Sequence, residues 1–203
     1  MKKLILLVLL FPMSSWALFT ARATYTGVVA KDAIKDACAG TSCETVAPDM
    51  LPLYGLGADV IVKLPLIPIG FGVRTEKLGL DVDKNGVAGN VDFSRTALLL
   101  NYRFIDTIIH FGLIGSYGLD HSASLRVSNA SSNYVDYGGG DLSSYSLGLE
   151  LEVKPLIVIP IIVGAETGLM KAEWKNAKDS VSTNNKSINL DNTYIKFFVG
   201  IDI

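Results

Sequence analysis

Two short constellations in this 203-residue chain have residue types that could do chemistry. His121 stands beside Ser122 and Ser124, with Asp120 and Glu166 available as orienting carboxylates. A hydroxyl next to an imidazole is the nucleophile and base of acyl transfer. Asp81-Val-Asp83-Lys-Asn85-Gly86, closed by Asp92, places oxygen atoms at positions 1, 3, 5 and 12 of a calcium loop, with glycine at position 6 for the sharp turn. Asn85-Gly86 is equally a strong hairpin dipeptide and strands flank it, so a plain turn is the commoner reading. Calcium is the one cofactor these residues suggest. Cys38 and Cys43 have four residues between them and no neighbouring histidine, which reads as a disulfide stapling a small loop in an oxidising compartment. His110 falls among charges on a strand face and reads as a hydrogen-bonding residue rather than a ligand.

The elements that must carry these residues are set by the distribution of hydrophobicity. The chain is 49% hydrophobic and 19% charged, and its mean hydropathy is +0.37. Yet after the N-terminus it contains no apolar run of about 18 residues, the length a membrane helix needs. Lys and Arg number 18 against 20 Asp and Glu, a net charge of −2, which offers no field for a nucleic-acid backbone. Lys2 and Lys3, the apolar stretch Leu4 to Met13 and the small residues of Ser15-Trp16-Ala17 form a secretory signal peptide. The expected division is a signal peptide over 1–17 and one exported domain over 18–203.

That domain alternates with a period of two. Tyr145, Leu147, Leu149, Leu151 and Val153 oppose Ser146, Gly148, Glu150, Glu152 and Lys154; Tyr54, Leu56, Ala58, Val60, Val62 and Leu64 oppose Gly55, Gly57, Asp59, Ile61 and Lys63. The pattern recurs in eight segments, and the connections between them alternate strictly. Long polar ones fall at about 30–51, 79–92, 120–143 and 174–191; short ones fall at 65–68, 105–107 and 154–159. Short turns on one side, long loops on the other and an even strand count describe an all-β, eight-stranded antiparallel up-and-down transmembrane β-barrel. Its second face collects Arg22, Lys63, Arg74, Arg95, Arg103, Lys154 and Lys196 against Asp59, Glu76, Glu150, Glu152, Glu166 and Asp202. Charges so nearly balanced can neutralise one another as ion pairs in a lumen that an eight-stranded barrel leaves only wide enough for side chains.

These segments resemble the small eight-stranded outer-membrane β-barrel proteins, as a broad superfamily, over nearly all of the mature chain. The last segment, Tyr194 to Ile203, resembles the C-terminal strand signal read by the outer-membrane assembly machinery, but ends in Ile203 rather than an aromatic residue. The resemblance implies a bacterial outer-membrane location with both termini periplasmic. Its implied partners are outer-membrane lipids, lipopolysaccharide and that machinery. The role it favours is a non-enzymatic structural or surface-interaction one through four extracellular loops. The alternatives it leaves are a lipid A-modifying enzyme, an acyl hydrolase or acyltransferase using His121, Ser122 and Ser124, and a narrow channel. Fold does not choose among these.

Overall fold

The computed structural model describes residues 19–30, 33–40, 44, 51–64, 67–84, 86–155, 160–182 and 185–203. Residues 1–17, expected as a signal peptide, and Cys43 and Asn85 lie outside the described residues. In chain order the elements are β1 (Phe19–Ala30), α1 (Ala33–Cys38), β2 (Leu51–Lys63), β3 (Ile69–Lys84), β4 (Val87–Asp106) and β5 (Ile109–Asn129). They continue as β6 (Asn133–Gly138), β7 (Asp141–Val153), β8 (Ile161–Asp179), β9 (Asn185–Asn189) and β10 (Asn192–Asp202).

Antiparallel ladders run β1, β2, β3, β4, β5, β7, β8, β10, and β10 returns to β1 with Thr20 opposite Asp202. Eight strands therefore close a ring without an edge, the arrangement by which strands can satisfy every backbone group where no water is available. Phe19 N donates to Ile203 O at 2.8 Å, Asp202 N to Pro160 O at 2.8 Å and Lys154 N to Ile108 O at 2.9 Å, so the ends of the ring share one rim with the tight connections.

Outward from this rim the surface is apolar. Leu56, Leu100, Tyr117, Leu147 and Leu169 are each at least 60% exposed, a state no soluble core explains. The outward run from Tyr54 to Leu64, at about 3.3 Å per residue and a tilt of about 40°, rises roughly 25 Å, the height of an outer-membrane apolar band.

The opposite rim differs from the sequence expectation. The segments 79–92, 120–143 and 174–191, expected as polar loops, are largely strand: β3 and β4 run on to a turn at Gly86 (φ 79°), and β5–β6 and β8–β9 form two further hairpins. β6 bridges β5 to the upper part of β8 through Tyr137 opposite Asp179. Alternation persists through these hairpins, but its polarity is inverted. Val91, Phe93, Leu125, Val127, Val135, Trp174 and Ile188 point inward as a packed apolar core, while Asp81, Asp83, Arg126, Glu173 and Lys175 point out to water. In β5 the change of phase is made by a β-bulge: Ala97 pairs with Gly118 and Thr96 with Asp120, leaving Leu119 over.

The connection between β1 and β2 contributes α1 to the same core. Ala37 and Cys38 are fully buried in it, Tyr137 Oη donates to Ala37 O at 3.3 Å and Lys186 Nζ to Ala39 O at 2.9 Å. This apolar plug lies above the band and behaves as an ordinary water-facing core. Leu125→Ala is expected to lower unfolding stability by about 2–5 kcal/mol, read by circular dichroism in urea with the protein held in lipid vesicles.

Candidate functional site

Below the plug the lumen is filled by ion pairs, some between neighbouring strands and some between opposite walls. Arg74 is fully buried and forks twice: Nε and Nη2 donate to Asp59 at 2.9 and 2.8 Å, and Nη1 and Nη2 donate to Glu166 at 3.0 and 2.7 Å. Asp59 is its ladder neighbour on β2, whereas Glu166 lies across the barrel on β8. Tyr194 Oη completes the Glu166 carboxylate with a 2.6 Å hydrogen bond. One layer nearer the plug, Glu76 accepts from Arg95 Nε at 2.7 Å and from Lys196 Nζ at 2.5 Å. One layer nearer the tight turns, Arg22 pairs with Glu150 and donates to Glu152 at 2.7 Å, with its guanidinium 4.3 Å from the centre of the Phe198 ring.

At the tight-turn rim, Asp202 gathers Lys63, Lys154 (2.6 Å) and the Thr20 hydroxyl (2.7 Å), and Arg103 reaches Glu152 at 3.6 Å and Asp106 at 3.3 Å. His110 is buried between Asp106 and Glu152, 3.5 Å from the latter. Every charged residue assigned to the inner face thus has an oppositely charged group beside it. Each such pair is charge-assisted, and its attraction, stronger in a water-poor interior than at a surface, offsets the cost of taking both charges out of water.

Small residues make room for these long side chains. A Cβ at Gly148 would stand 2.5 Å from Tyr194 Oη, and one at Gly164 would stand 2.3 Å from Phe198 Cζ. Ile61, Leu99 and Ile114 form a separate buried apolar patch between the charged layers.

Among the described residues, neither constellation read from the sequence is gathered into one cluster. His121 faces inward opposite Arg95, whereas Ser122 and Ser124 point to the other face of β5 and are exposed. What His121 Nε2 meets is Ser144 Oγ, 2.8 Å away on β7 and itself 3.3 Å from Arg95 Nη1. Glu166, the proposed orienter, is committed to Arg74, and Asp120 Oδ1 accepts from the His121 backbone N–H at 3.0 Å. Burial and the adjacent Arg95 charge lower the His121 pKa against the opposing effect of Asp120.

Of the calcium-spaced residues, Asp81, Asp83 and Asp92 lie along the β3–β4 hairpin. Asp81 opposes and hydrogen-bonds Asn90, Asp83 opposes Ala88 and Asp92 opposes Gly79, so the ladder spreads the carboxylates instead of gathering them. Among the described residues no cluster of three or more His, Cys, Asp or Glu is placed to hold a metal.

A residue the sequence did not single out is Asp179, at the end of β8. It accepts from the backbone N–H of Asp136 at 3.0 Å, of Val181 at 3.0 Å and of Ser182 at 3.2 Å, tying two hairpins together. Its signal was an aspartate just before Ser180-Val181-Ser182, a turn-capping pattern. Burial raises its pKa, but the hydrogen bonds from Ser182 and the three amides outweigh this and hold the carboxyl below its ordinary value.

No protein-family model and no curated protein sequence matches the chain. Among solved structures it is similar to neisserial surface protein A, with a TM-score of 0.52 and 10% identity over 91% of this chain and 97% of that one. It is also similar to Ail, the attachment invasion locus protein of Yersinia pestis, with a TM-score of 0.54 and 8% identity over 91% and 97% of the two chains. The chain has the fold of the small eight-stranded outer-membrane β-barrel proteins.

Two outcomes follow from the network and its cap. Arg74→Met strands two buried carboxylates and is expected to cost about 3–5 kcal/mol; adding Glu166→Gln to that variant should recover part of the loss, both read by urea unfolding in vesicles. Asp179 has a depressed folded pKa, so its stabilisation is present above the unfolded value near 3.9 and is lost as pH falls through and below it. Hydrogen exchange at the Val181 and Ser182 amides, corrected for its intrinsic pH dependence, should show less protection at pH 3 than at pH 6. Asp179→Asn should abolish that difference.

Proposed function

We propose that this chain is an integral protein of a bacterial outer membrane, non-enzymatic, with a structural or surface-interaction role. The single observation that carries this reading is a continuous apolar outer band around a lumen filled with paired charge. In this reading the tight turns and both strand ends at that rim face the periplasm, and the three hairpins with α1 stand outside the cell. The similarity to neisserial surface protein A and to Ail supports a barrel of this class.

Residues 1–17 are proposed to be removed on export, and Cys38, buried in the plug, is proposed to bond Cys43. Tyr194 to Ile203 would be read by the assembly machinery, and the lipids of the membrane, including lipopolysaccharide, would contact the outer band. A channel role is disfavoured because two barriers lie in series, the ion-paired layers and the apolar plug. An acyl-transfer role is disfavoured because His121 and its sequence-adjacent serines occupy opposite faces of β5.

The protein is expected in the outer-membrane fraction, with faster gel migration before boiling than after it. Unchanged migration on boiling, or recovery only from the periplasm, would refute the barrel reading. Planar bilayers containing the purified protein should show no conductance steps, and mass spectra of lipid A should be the same with and without expression. A discrete conductance or a lost or added acyl chain would replace the proposed role with the corresponding alternative.

A further inference from the structure

We propose that His121, Ser144 and Arg95 form a pH-sensitive latch between the apolar plug and the charged lumen. It holds while the imidazole is neutral and loosens when His121 takes up a proton. The latch depends on the barrel fold and not on the surface role proposed above.

Local structure brings the three residues together. Gly118 and His121 both face inward because the bulge at Leu119 shifts the alternation of β5 between them. A Cβ at Gly118 would stand 2.1 Å from His121 Nε2 and 2.6 Å from Ser144 Oγ, so glycine leaves room for the bond between them as it stands. That bond is 2.8 Å long, and Ser144 on β7 is buried. On the plug side the imidazole packs against Phe93, with ring centres 6.4 Å apart. On the lumen side Ser144 meets Arg95 Nη1 at 3.3 Å, and Arg95 Nε donates to Glu76 at 2.7 Å. His121 therefore sits at the joint where the apolar core ends and the ion pairs begin.

A count of protons gives the state in which this joint closes. A guanidinium has donors and no acceptor, so Arg95 can only donate to Ser144. The single hydroxyl proton of Ser144 is then free for His121 Nε2, and accepting it requires an unprotonated nitrogen on a neutral ring. Protonation turns Nε2 into a donor. Ser144 would then accept from two cations, its own proton would have no acceptor among the described residues, and like charges would face each other across one hydroxyl.

The other charges around the joint do not cancel this conflict. Glu76 on β3 is divided between Arg95 and Lys196 of β10, Lys77 is exposed on the outer face, and Asp120 is exposed with one oxygen bonded to the His121 backbone N–H. Burial and the Arg95 charge hold the His121 pKa below its ordinary value, against the effect of Asp120. For a histidine so depressed, stability is complete above the unfolded value near 6.5 and is lost as the pH falls through and below it. A recess of about 90 Å³, whose lining includes the exposed Thr75, Asp120 and Ser122 as well as His121, gives the imidazole a route to water.

The test uses the full mature chain in phosphatidylcholine nanodiscs. Ring nitrogen NMR shifts of His121 should place its proton on Nδ1 at pH 8. Amide exchange, corrected for its intrinsic pH dependence, should show the protection of Phe93, Ala123 and Leu125 falling by roughly threefold or more between pH 7 and pH 5, with Leu149 in the lipid band unchanged. His121→Gln, which can still accept from Ser144 but cannot titrate, should remove that fall. Arg95→Gln should move the His121 titration, followed by its ring carbon shifts, up toward the ordinary histidine value.

A proton on Nε2 at pH 8, protection independent of pH, or a fall that persists in His121→Gln would each overturn the latch. An equal fall at Leu149 would replace it with a general loss of stability, and an unmoved titration in Arg95→Gln would remove Arg95 as the opposing charge. Failure of the barrel reading would be visible separately, as a chain that does not enter nanodiscs or change its migration on boiling.

Discussion

The rest of this molecule depends on one constraint, that charges enclosed by a ring of strands must find their opposites across its interior. Ladder pairing alone would fail at one point, because Glu150 and Glu166 stand directly opposite each other on β7 and β8. Like charges so placed repel. The conflict is resolved by two arginines from the far walls: Arg22 of β1 takes Glu150 and Arg74 of β3 takes Glu166. Each cross-lumen pair ties together strands that share no backbone hydrogen bonds. The pairing thus fixes the relative positions of the walls as well as cancelling charge, and it requires the glycines that let Tyr194 and Phe198 lie flat against β7 and β8.

A second constraint is that each long strand crosses from lipid to water. In the lower half its outer residues meet hydrocarbon and its inner ones meet charge; in the upper half the outer residues meet water, and the inner ones must then supply the hydrophobic core that water favours. The inside and outside preferences exchange along a single strand. β4 shows this cleanly, because Val91, Phe93, Arg95, Ala97, Leu99, Asn101 and Arg103 all face inward, apolar at one end and charged at the other. β5 needs the bulge at Leu119 to bring Leu125 and Val127 onto the inner side.

This exchange also explains what was legible in the sequence. The eight-membered ring could be read because in the lipid-spanning part alternation, turn length and the sidedness of charge agree. The lumen residues could be gathered for the same reason, since a charge at every second position of an otherwise apolar strand has only one side to occupy. The upper hairpins were missed because polarity there is reversed and diluted: Ser122, Ser124 and Ser128 on one face and Ser-Asn runs near the turns make β5 and β6 look like loop, although Leu125, Val127, Val135 and Tyr137 still keep the period. The His121 grouping was misleading for a simpler reason. Neighbours in sequence on a strand point to opposite faces, and the partner His121 meets, Ser144, is 23 residues away on another strand.

The layers of the lumen are not filled to the same quality. At the middle of the lumen Arg74, Asp59, Glu166 and Tyr194 satisfy one another at 2.6 to 3.0 Å. Towards the tight turns Arg103 and His110 stand 3.6 and 3.5 Å from Glu152, and Arg103 Nη2, His110 Nε2 and Glu152 Oε1 are buried without a hydrogen bond among the described residues. Groups of this kind are ordinarily completed by ordered water, and Lys63, Lys154 and Asp106 keep partial exposure at that rim by which water can arrive. The other end offers no such route, because Leu53, Phe93, Leu125 and Trp174 close it with apolar atoms. At the layer of Arg74 an inserted water would have to break two bidentate ion pairs to gain two or three hydrogen bonds of its own.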